Sequence, residues 1–359
     1  MRGSVASFEV CMTSYVDRDG RALGELPKTV AAPHELERLY RAMVLTRTFD
    51  AKAVSLQRTG RIGTFASSLG QEAVSVGVGA AMTAPDVLVP SFREQGAQFL
   101  RGVTPAEMLA YWGGDERGSD FAVARHDFPI CVPIGTQAPH AVGVALAFQL
   151  RHEPRVAVCV FGDGATSRGD VYEAMNYAGV RRLPVVFVVN NNQWAISVPR
   201  RSQSAAATLA QKAIAAGIAG EQVDGNDVIA VRAVVGDAIE AARDGRGPTL
   251  VEALTYRLTD HTTADDASRY RSDDEVSEHW KYEPVARLRA YLVGEGRWDR
   301  QREEQLLAEC AAAIDDAVLA YEAGPLRPPE SMFDHLYAVL PNAYRQQRDD
   351  LAAQGGDDA

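Results

Sequence analysis

The chain has 359 residues, 46% of them hydrophobic and 24% charged, which fits a folded globular protein and excludes wholesale disorder. A net charge of −11 gives no basic field to draw it to nucleic acid or anionic lipid, and no apolar run reaches the roughly 18 residues that span a bilayer. Neither nucleic acid nor a membrane is therefore an expected partner. The opening residues MRGSVASFEV lack the apolar stretch of a signal peptide. Cys11, Cys131, Cys159 and Cys310 stand alone, with neither zinc-site nor disulfide-framework spacing, so a reducing, cytoplasmic setting is expected.

Residues 1–32 hold Asp19-Gly20 and Pro27 and read as an extended arm with a turn. From Pro33 to Arg58, Leu36, Leu39, Tyr40, Met43 and Val44 recur at helical spacing. A Gly- and Ser-containing loop, 61–70, precedes a small-residue helix over 71–81. Val87–Pro90 reads as a short strand, Pro105–Tyr111 as a helix and His140–Leu150 as a second small-residue helix. The two small-residue helices suit close packing, whether inside the chain or at a subunit interface. VAVCVF (156–161) and VVFVV (185–189) are short continuous apolar runs, the pattern of strands buried on both faces. Between them a helix over 170–179 carries Asp170 and Glu173 at capping-box spacing. Segments 209–216, 228–243 and 249–256 continue as helix, helix and strand.

Strands separated by helices imply an α/β fold with a doubly wound parallel sheet flanked by helices. The stretch 259–273 is polar and aperiodic. A helical region follows over 278–323, then a Pro-rich link and a last helix near Tyr337; the charged tail 346–359 is expected to fray. The division is thus an N-terminal arm (1–32), an α/β domain including the loop 259–272 (33–272), a C-terminal helical extension (273–345) and a polar tail (346–359).

Ligands of open parallel sheets bind beyond the carboxyl ends of the strands. VAVCVF runs into Gly162-Asp163-Gly164-Ala165, and VVFVV into Asn190-Asn191-Asn192. Adjacent strands joined by one helix bring both ends to one rim, where a carboxylate and an amide oxygen converge. That donor set suits Mg²⁺, a hard cation that takes one or two protein carboxylates and fills its octahedron with phosphate oxygens and water. The helix opening near Ser167–Asp170 turns free N–H groups toward the same anion. Gly-Asp-Gly alone is also a common surface turn. The pairing with Asn-Asn at the matching strand end separates the two readings.

Gly-Asp-Gly, a 26-residue spacer (165–190) and Asn191-Asn192 resemble the thiamine diphosphate fingerprint. The likeness extends through RTGRIGTFASSLGQEA (58–73), PIGTQAPHAVGVALA (133–147), FGDGATSRGDVYEAMNYAG (161–179), NNNQWAISVP (190–199), TLAQKAIAAGI (208–218), QVDGND (222–227) and PTLVEALTYRLTDHTTADDASRYRS (248–272). These resemble the alpha subunit of two-subunit 2-oxo acid dehydrogenases, from about residue 35 to 351. The resemblance implies the diphosphate-binding half of a thiamine diphosphate fold. It also implies oxidative decarboxylation of pyruvate, with branched-chain 2-oxo acids and then acetoin as alternatives, and transfer of the acyl group to the lipoyl arm of a partner acyltransferase. An activating carboxylate would come from a separate beta subunit in a two-alpha, two-beta heterotetramer, so the alpha chain alone is expected to be inactive.

Residue by residue, the resemblance makes Asp163, Asn192 and the Trp194 carbonyl ligands of Mg²⁺. Gly162, Gly164 and Ala165 would line the diphosphate, with Arg93 on a phosphate and Phe92 beside it. Ile134 and Ile196 would flank the cofactor rings. His261 would reach the reactive carbon and move protons near its ordinary pKa of about 6.5, in a loop that orders, through Tyr270 and Arg271, on cofactor binding. Cys131, Pro133, Thr136 and Gln137 match a monovalent-cation loop of some relatives. Phe65, Ser67 and Leu69 suggest part of the acyl pocket, and Thr262 and Ser268 are loop hydroxyls where some relatives are phosphorylated.

This chain departs from the family at Phe92, usually Tyr, at Trp194, often Tyr or Phe, and at Val132, Ser in some branched-chain enzymes. Three other readings compete. A Mg²⁺-dependent phosphotransferase or phosphatase built on Asp163 would act without a partner. A regulatory subunit would be indifferent to loss of Asp163. A nicotinamide enzyme is disfavoured, since no GxGxxG follows a strand. The remaining histidines, His34, His126, His140, His152, His279 and His335, read as surface or core residues.

Overall fold

The computed structural model describes residues 2–325 and 327–354. In chain order its strands are β1 (Met12–Thr13), β2 (Val87–Val89), β3 (Ala157–Gly162), β4 (Val185–Asn191), β5 (Trp194–Ala195), β6 (Val198–Pro199), β7 (Ala219–Asp224) and β8 (Thr249–Leu254). The helices are α1 (Pro33–Arg58), α2 (Glu72–Ala81), α3 (Gln95–Leu100), α4 (Pro105–Trp112), α5 (Gln137–Arg151), α6 (Gly169–Arg181), α7 (Arg200–Gln203), α8 (Lys212–Ala216), α9 (Val228–Arg243), α10 (Asp273–Trp280), α11 (Pro284–Gly294), α12 (Arg300–Glu322) and α13 (Asn342–Gln354).

Six strands form one parallel sheet in the order β1-β7-β8-β4-β3-β2, and β5 and β6 make a small antiparallel pair. The apolar runs are buried on both faces because helices cover both. Cys159, Phe161, Phe187 and Val189 face a layer containing Ala141 and Ala145 of α5 and Val171 and Met175 of α6. Val158, Val160, Val186 and Val188 face α2 and α9 through Val74, Val78, Val231 and Val235. An outer layer joins α1, α11 and α12 around Tyr40, Met43, Leu288 and Leu306. The doubly wound expectation therefore holds, and α10, α11 and the start of α12 belong to the same compact unit as the sheet, which runs to Val318. The second unit, from Leu319, contains a 3-10 turn at Pro329–Phe333 and α13. No helix among the described residues is long and apolar enough to cross a membrane.

Several local expectations change. The strand Ala219–Asp224 reads as polar, AGEQVD, and gives no strand signal in the sequence. It forms because β8 on one side and the two-residue β1 on the other supply its hydrogen bonds near the sheet edge. Asp227 anchors that edge: one carboxylate oxygen caps α9 through the Ile229 and Ala230 N–H groups, and the other accepts from Tyr15 and Val16. Asp170 and Glu173 make no capping box. The α6 helix begins at Gly169 with no side-chain cap, and Asp170 pairs with Arg168 at 3.0 Å. The capping box instead forms at Thr104 and Glu107 on α4.

The segment expected to be helical over 209–216 is a turn followed by α8, because the Glu252 carboxylate takes the Ala210 N–H at 2.9 Å. Tyr337 lies outside the last helix, stacked on Tyr344 at 5.8 Å. The tail is helical through Gln354, and 355–359 lie outside the described residues.

Of the two small-residue helices, α2 is buried within the chain rather than at a subunit face. A Cβ on Gly79 would stand 2.6 Å from the Ala97 Cα, and one on Gly77 would stand 2.6 Å from Val231 Cγ1. A Cβ on Gly143 of α5 meets nothing within 4 Å. Gly79→Val should therefore destabilise by about 2–3 kcal/mol through overpacking against backbone, while Gly143→Ala gains up to ~1 kcal/mol of helix propensity. Thermal denaturation of the two variants checks this, and equal melting shifts would contradict it.

Candidate active site

In the parallel ladder, Gly162 of β3 stands opposite Asn190 of β4. Beyond that pair the two chains leave the sheet at the same rim and border one cavity of about 770 Å³. Phe92, Arg93, Ile134, Gly162, Asp163, Gly164, Ala165, Asn192, Trp194, Ile196 and His261 all border it, so the residues that the sequence nominates for Mg²⁺, the diphosphate, the cofactor rings and proton transfer lie at one place. Glycine is required at 164, where a Cβ would stand 2.7 Å from the Ala195 Cβ; the two strand-end loops touch there.

The loop after β4 is held in backbone conformations that side-chain-bearing residues rarely take. Gln193 has φ +72° and Ile196 φ +54°. For a β-branched residue the left-handed region carries strain of about 1–3 kcal/mol, and such strain persists where neighbours over-determine it. Here Asn191 Oδ1 receives the Gln193 N–H and amide, and Arg257 Nη2 donates to the Ile196 carbonyl at 2.9 Å. Asn191 is itself fixed by a 2.7 Å bond to buried Glu252.

Asp163 is 3% exposed, and its side chain receives a hydrogen bond from Gln203 at 3.0 Å but makes no ion pair among the described residues. Burial pushes its carboxyl up to about 6. Among the described residues, Asn192 Oδ1 accepts the Trp194 N–H, at 3.2 Å, and buried Asn190 Oδ1 meets no donor. A buried carboxylate with no ion-pair partner among the described residues, on a cavity that Asn190 and Asn192 also border, is the kind of oxygen donor set that a hard divalent cation takes, so these residues fit Mg²⁺.

Opposite charge gathers on another wall. Arg93, 5% exposed, donates to the Ser67 carbonyl, to the His261 carbonyl at 2.6 Å and to His261 Nδ1 at 3.1 Å. Arg257, fully buried, reaches the same Nδ1 at 3.3 Å and Tyr270 Oη at 2.7 Å. Neither guanidinium has a carboxylate ion-pair partner among the described residues; burial and then Arg257 lower Arg93 to about 10, and burial and then Arg271 lower Arg257. Two uncompensated guanidiniums beside the Gly-Asp-Gly loop fit a diphosphate.

A guanidinium can only donate, so Nδ1 of His261 accepts, and the ring is neutral with its proton on Nε2. Burial, then Arg93 and Arg257, depress its pKa to about 4. The expectation of a histidine titrating near 6.5 is corrected: His261 is a fixed neutral donor. The Phe92 ring packs edge-on against it at 6.0 Å.

The loop 259–272 is held by the chain's own bonds. Asp265 accepts the His261 N–H and the Tyr270 hydroxyl, and Arg271 binds the Arg257 and Thr259 carbonyls. The Cys131–Gln137 loop likewise closes on itself: Gln137 donates to the Cys131 carbonyl at 2.6 Å, and Thr136 contacts Cys131 Sγ at 3.1 Å and the Pro133 carbonyl at 2.9 Å. Phe65, Ser67 and Leu69 do not border the cavity, whereas Thr64 and Ala66 beside them do. Phe65 packs on Phe49 and Trp112, and Ser67 bonds the buried Asp50.

Sequence reasoning missed Gln71, Glu94, Trp112, Gln203 and Arg257. Of these, only Arg257, four residues before His261, carried a usable signal. Glu94, buried beside Arg93, is pushed up to about 7 by desolvation.

Residues 40–330 match the family described as the dehydrogenase E1 component. The chain belongs to that family. It is 42% identical over 353 residues to the 3-methyl-2-oxobutanoate dehydrogenase subunit alpha of Mycobacterium tuberculosis, covering 98% of this chain and 96% of the relative. To the pyruvate dehydrogenase E1 component subunit alpha of Acholeplasma laidlawii it is 38% identical over 333 residues, 92% and 96% of the two chains. The Bacillus cereus protein of the same name is 36% identical over 348 residues, 97% and 93%.

As an E1 chain with a neutral histidine held between two arginines, this protein has a distinct acid response. The folded state keeps His261 unprotonated while the unfolded chain takes a proton near 6.5. The stabilisation is complete above about pH 6.5 and is lost as pH falls toward 4. His261→Gln should flatten that part of the stability curve. Denaturant midpoints between about pH 4.5 and 7 test it, and unchanged curvature in the variant counts against the assignment.

Proposed function

We propose that this chain is the alpha subunit of a thiamine diphosphate- and Mg²⁺-dependent 2-oxo acid dehydrogenase. It would act with a beta subunit, as a two-alpha, two-beta assembly, and pass an acyl group to the lipoyl arm of an acyltransferase. The observation that carries this reading is one cavity bordered by a buried carboxylate, Asp163, and a buried guanidinium, Arg93, neither with an ion-pair partner among the described residues, with Arg257 buried against the His261 that also borders it. Asp163, Asn192 and the Trp194 carbonyl would hold the cation; Gly162, Gly164, Ala165 and Arg93 would hold the diphosphate. When bound, thiamine diphosphate supplies the electron sink that lets carbon dioxide leave a 2-oxo acid.

His261 would present Nε2–H to a phosphate or substrate oxygen and keep that donor across neutral pH. Ile134 and Ile196, both exposed at the mouth, would flank the rings and meet the partner subunit. The cytoplasmic setting rests on four unbonded cysteines.

Pyruvate is the substrate in the first reading, supported by the recurrence of that name among relatives at 36–38% identity. The 42% relative named for 3-methyl-2-oxobutanoate favours a branched-chain acid as the second. The test is a substrate panel on the chain co-expressed with its beta subunit. Reduction of an artificial acceptor should require both Mg²⁺ and thiamine diphosphate, and kcat/KM should separate the two acids by about tenfold or more, the effect of extra methyl groups in an apolar pocket. Asp163→Ala should abolish activity and weaken cation binding by more than ~100-fold. Turnover of a phosphoester by the isolated chain would overturn the proposal.

A further inference from the structure

We infer that Gln71 and Gln203 are positioning residues of the cation site, each deciding which atom its neighbour offers to the ion. The inference deepens the reading of Asp163 and Asn192 as cation ligands and rests on it.

Gln71 immediately precedes α2 and is fully buried, yet it borders the cavity. Its Oε1 accepts from Asn192 Nδ2 at 2.8 Å. An asparagine amide is nearly symmetric in shape and could offer a cation either end. Two neighbours with fixed roles remove that freedom. The Trp194 N–H can only donate, so the atom it meets, at 3.2 Å, is Oδ1. Nδ2 is then engaged by Gln71, and the amide cannot turn its NH₂ toward the ion without breaking both bonds. Gln71 Nε2 has no partner among the described residues, so the glutamine itself is held at this position chiefly by that one acceptor contact.

Gln203 acts on the other ligand. It ends α7, outside both strand-end motifs, and lies along the Gly-Asp-Gly loop with its Oε1 3.4 Å from where a Cβ would sit on Gly164. Its Nε2 donates to Asp163 Oδ2 at 3.0 Å and to the Val198 carbonyl at 3.1 Å. One carboxylate oxygen is thereby tied to β6, and Oδ1 is left for a cation. Neither glutamine belongs to the strand-end motifs, and each supports a different ligand from a different element. Groups that orient metal ligands in this way commonly change metal affinity by ~10–100-fold without touching the ion.

The test uses the complex of this chain with its beta subunit, and Mn²⁺ as probe in the presence of thiamine diphosphate. Free Mn²⁺ is followed by electron paramagnetic resonance, with circular dichroism and thermal melting as checks on folding. Gln71→Met and Gln203→Met, which keep volume and remove the polar contact, should each weaken Mn²⁺ binding about tenfold or more. Gln71→Glu, which keeps an acceptor oxygen, should stay within about threefold of the parent. Both Met variants binding like the parent would overturn the inference, as would Gln71→Glu binding as weakly as Gln71→Met. Should Gln71→Met not assemble, Gln203→Met decides alone, since Gln203 is half-buried on a peripheral turn. Failure of the parent complex to bind Mn²⁺ any better than Asp163→Ala would remove the cation-site reading itself, a different result from glutamine variants that leave a working site unchanged.

Discussion

The parallel register between β3 and β4 is the constraint on which the site depends. With Gly162 opposite Asn190, the last residues of both strands emerge side by side at a strand spacing of about 4.8 Å. A slip of one residue would send every side chain to the opposite face. Both faces of these strands are packed, Val158 and Val186 toward one helical layer and Cys159 and Phe187 toward the other, so no slip is tolerated. The position of Asp163 relative to Asn192 is thus fixed by valines and a phenylalanine several residues away.

Charge is distributed in this cavity so that the protein alone does not balance it. Asp163, Arg93 and Arg257 are all buried, and none has an ion-pair partner among the described residues. Removing such groups from water is costly unless partners are supplied. A diphosphate carrying a divalent cation would complete both halves together, which gives a physical reason for cation and cofactor to be required jointly.

The walls are stiffened from behind. Buried Asp50 on α1 binds Ser67 and Ser68, and the Ser67 carbonyl receives Arg93. Thr263 and Phe65 exchange two hydrogen bonds that tie the His261 loop to the same segment. The imidazole is then set by two guanidiniums at once. What the chain leaves uncovered is the mouth, where Val132, Ile134, Ile196 and Val198 present apolar surface.

Much of this was legible in the sequence. Continuous apolar runs announced doubly buried strands, and the residues just past them announced the cavity, because strand ends are local features of the chain. Helix α1 and helix α9 follow directly from apolar spacing. Tertiary structure decided the rest. The strand AGEQVD exists through its neighbours' hydrogen bonds rather than its own composition, and Asp170 prefers Arg168 to its helix. Gln71 and Gln203 border the cavity, and Arg257 backs His261, through contacts that no local pattern in the chain announces. Likewise, His261 stays neutral because folding buries it and sets two arginines beside it. Sequence determines what depends on periodicity and chain order; protonation, side-chain orientation and charge balance depend on distances between segments far apart in the chain, and those exist only in the folded molecule.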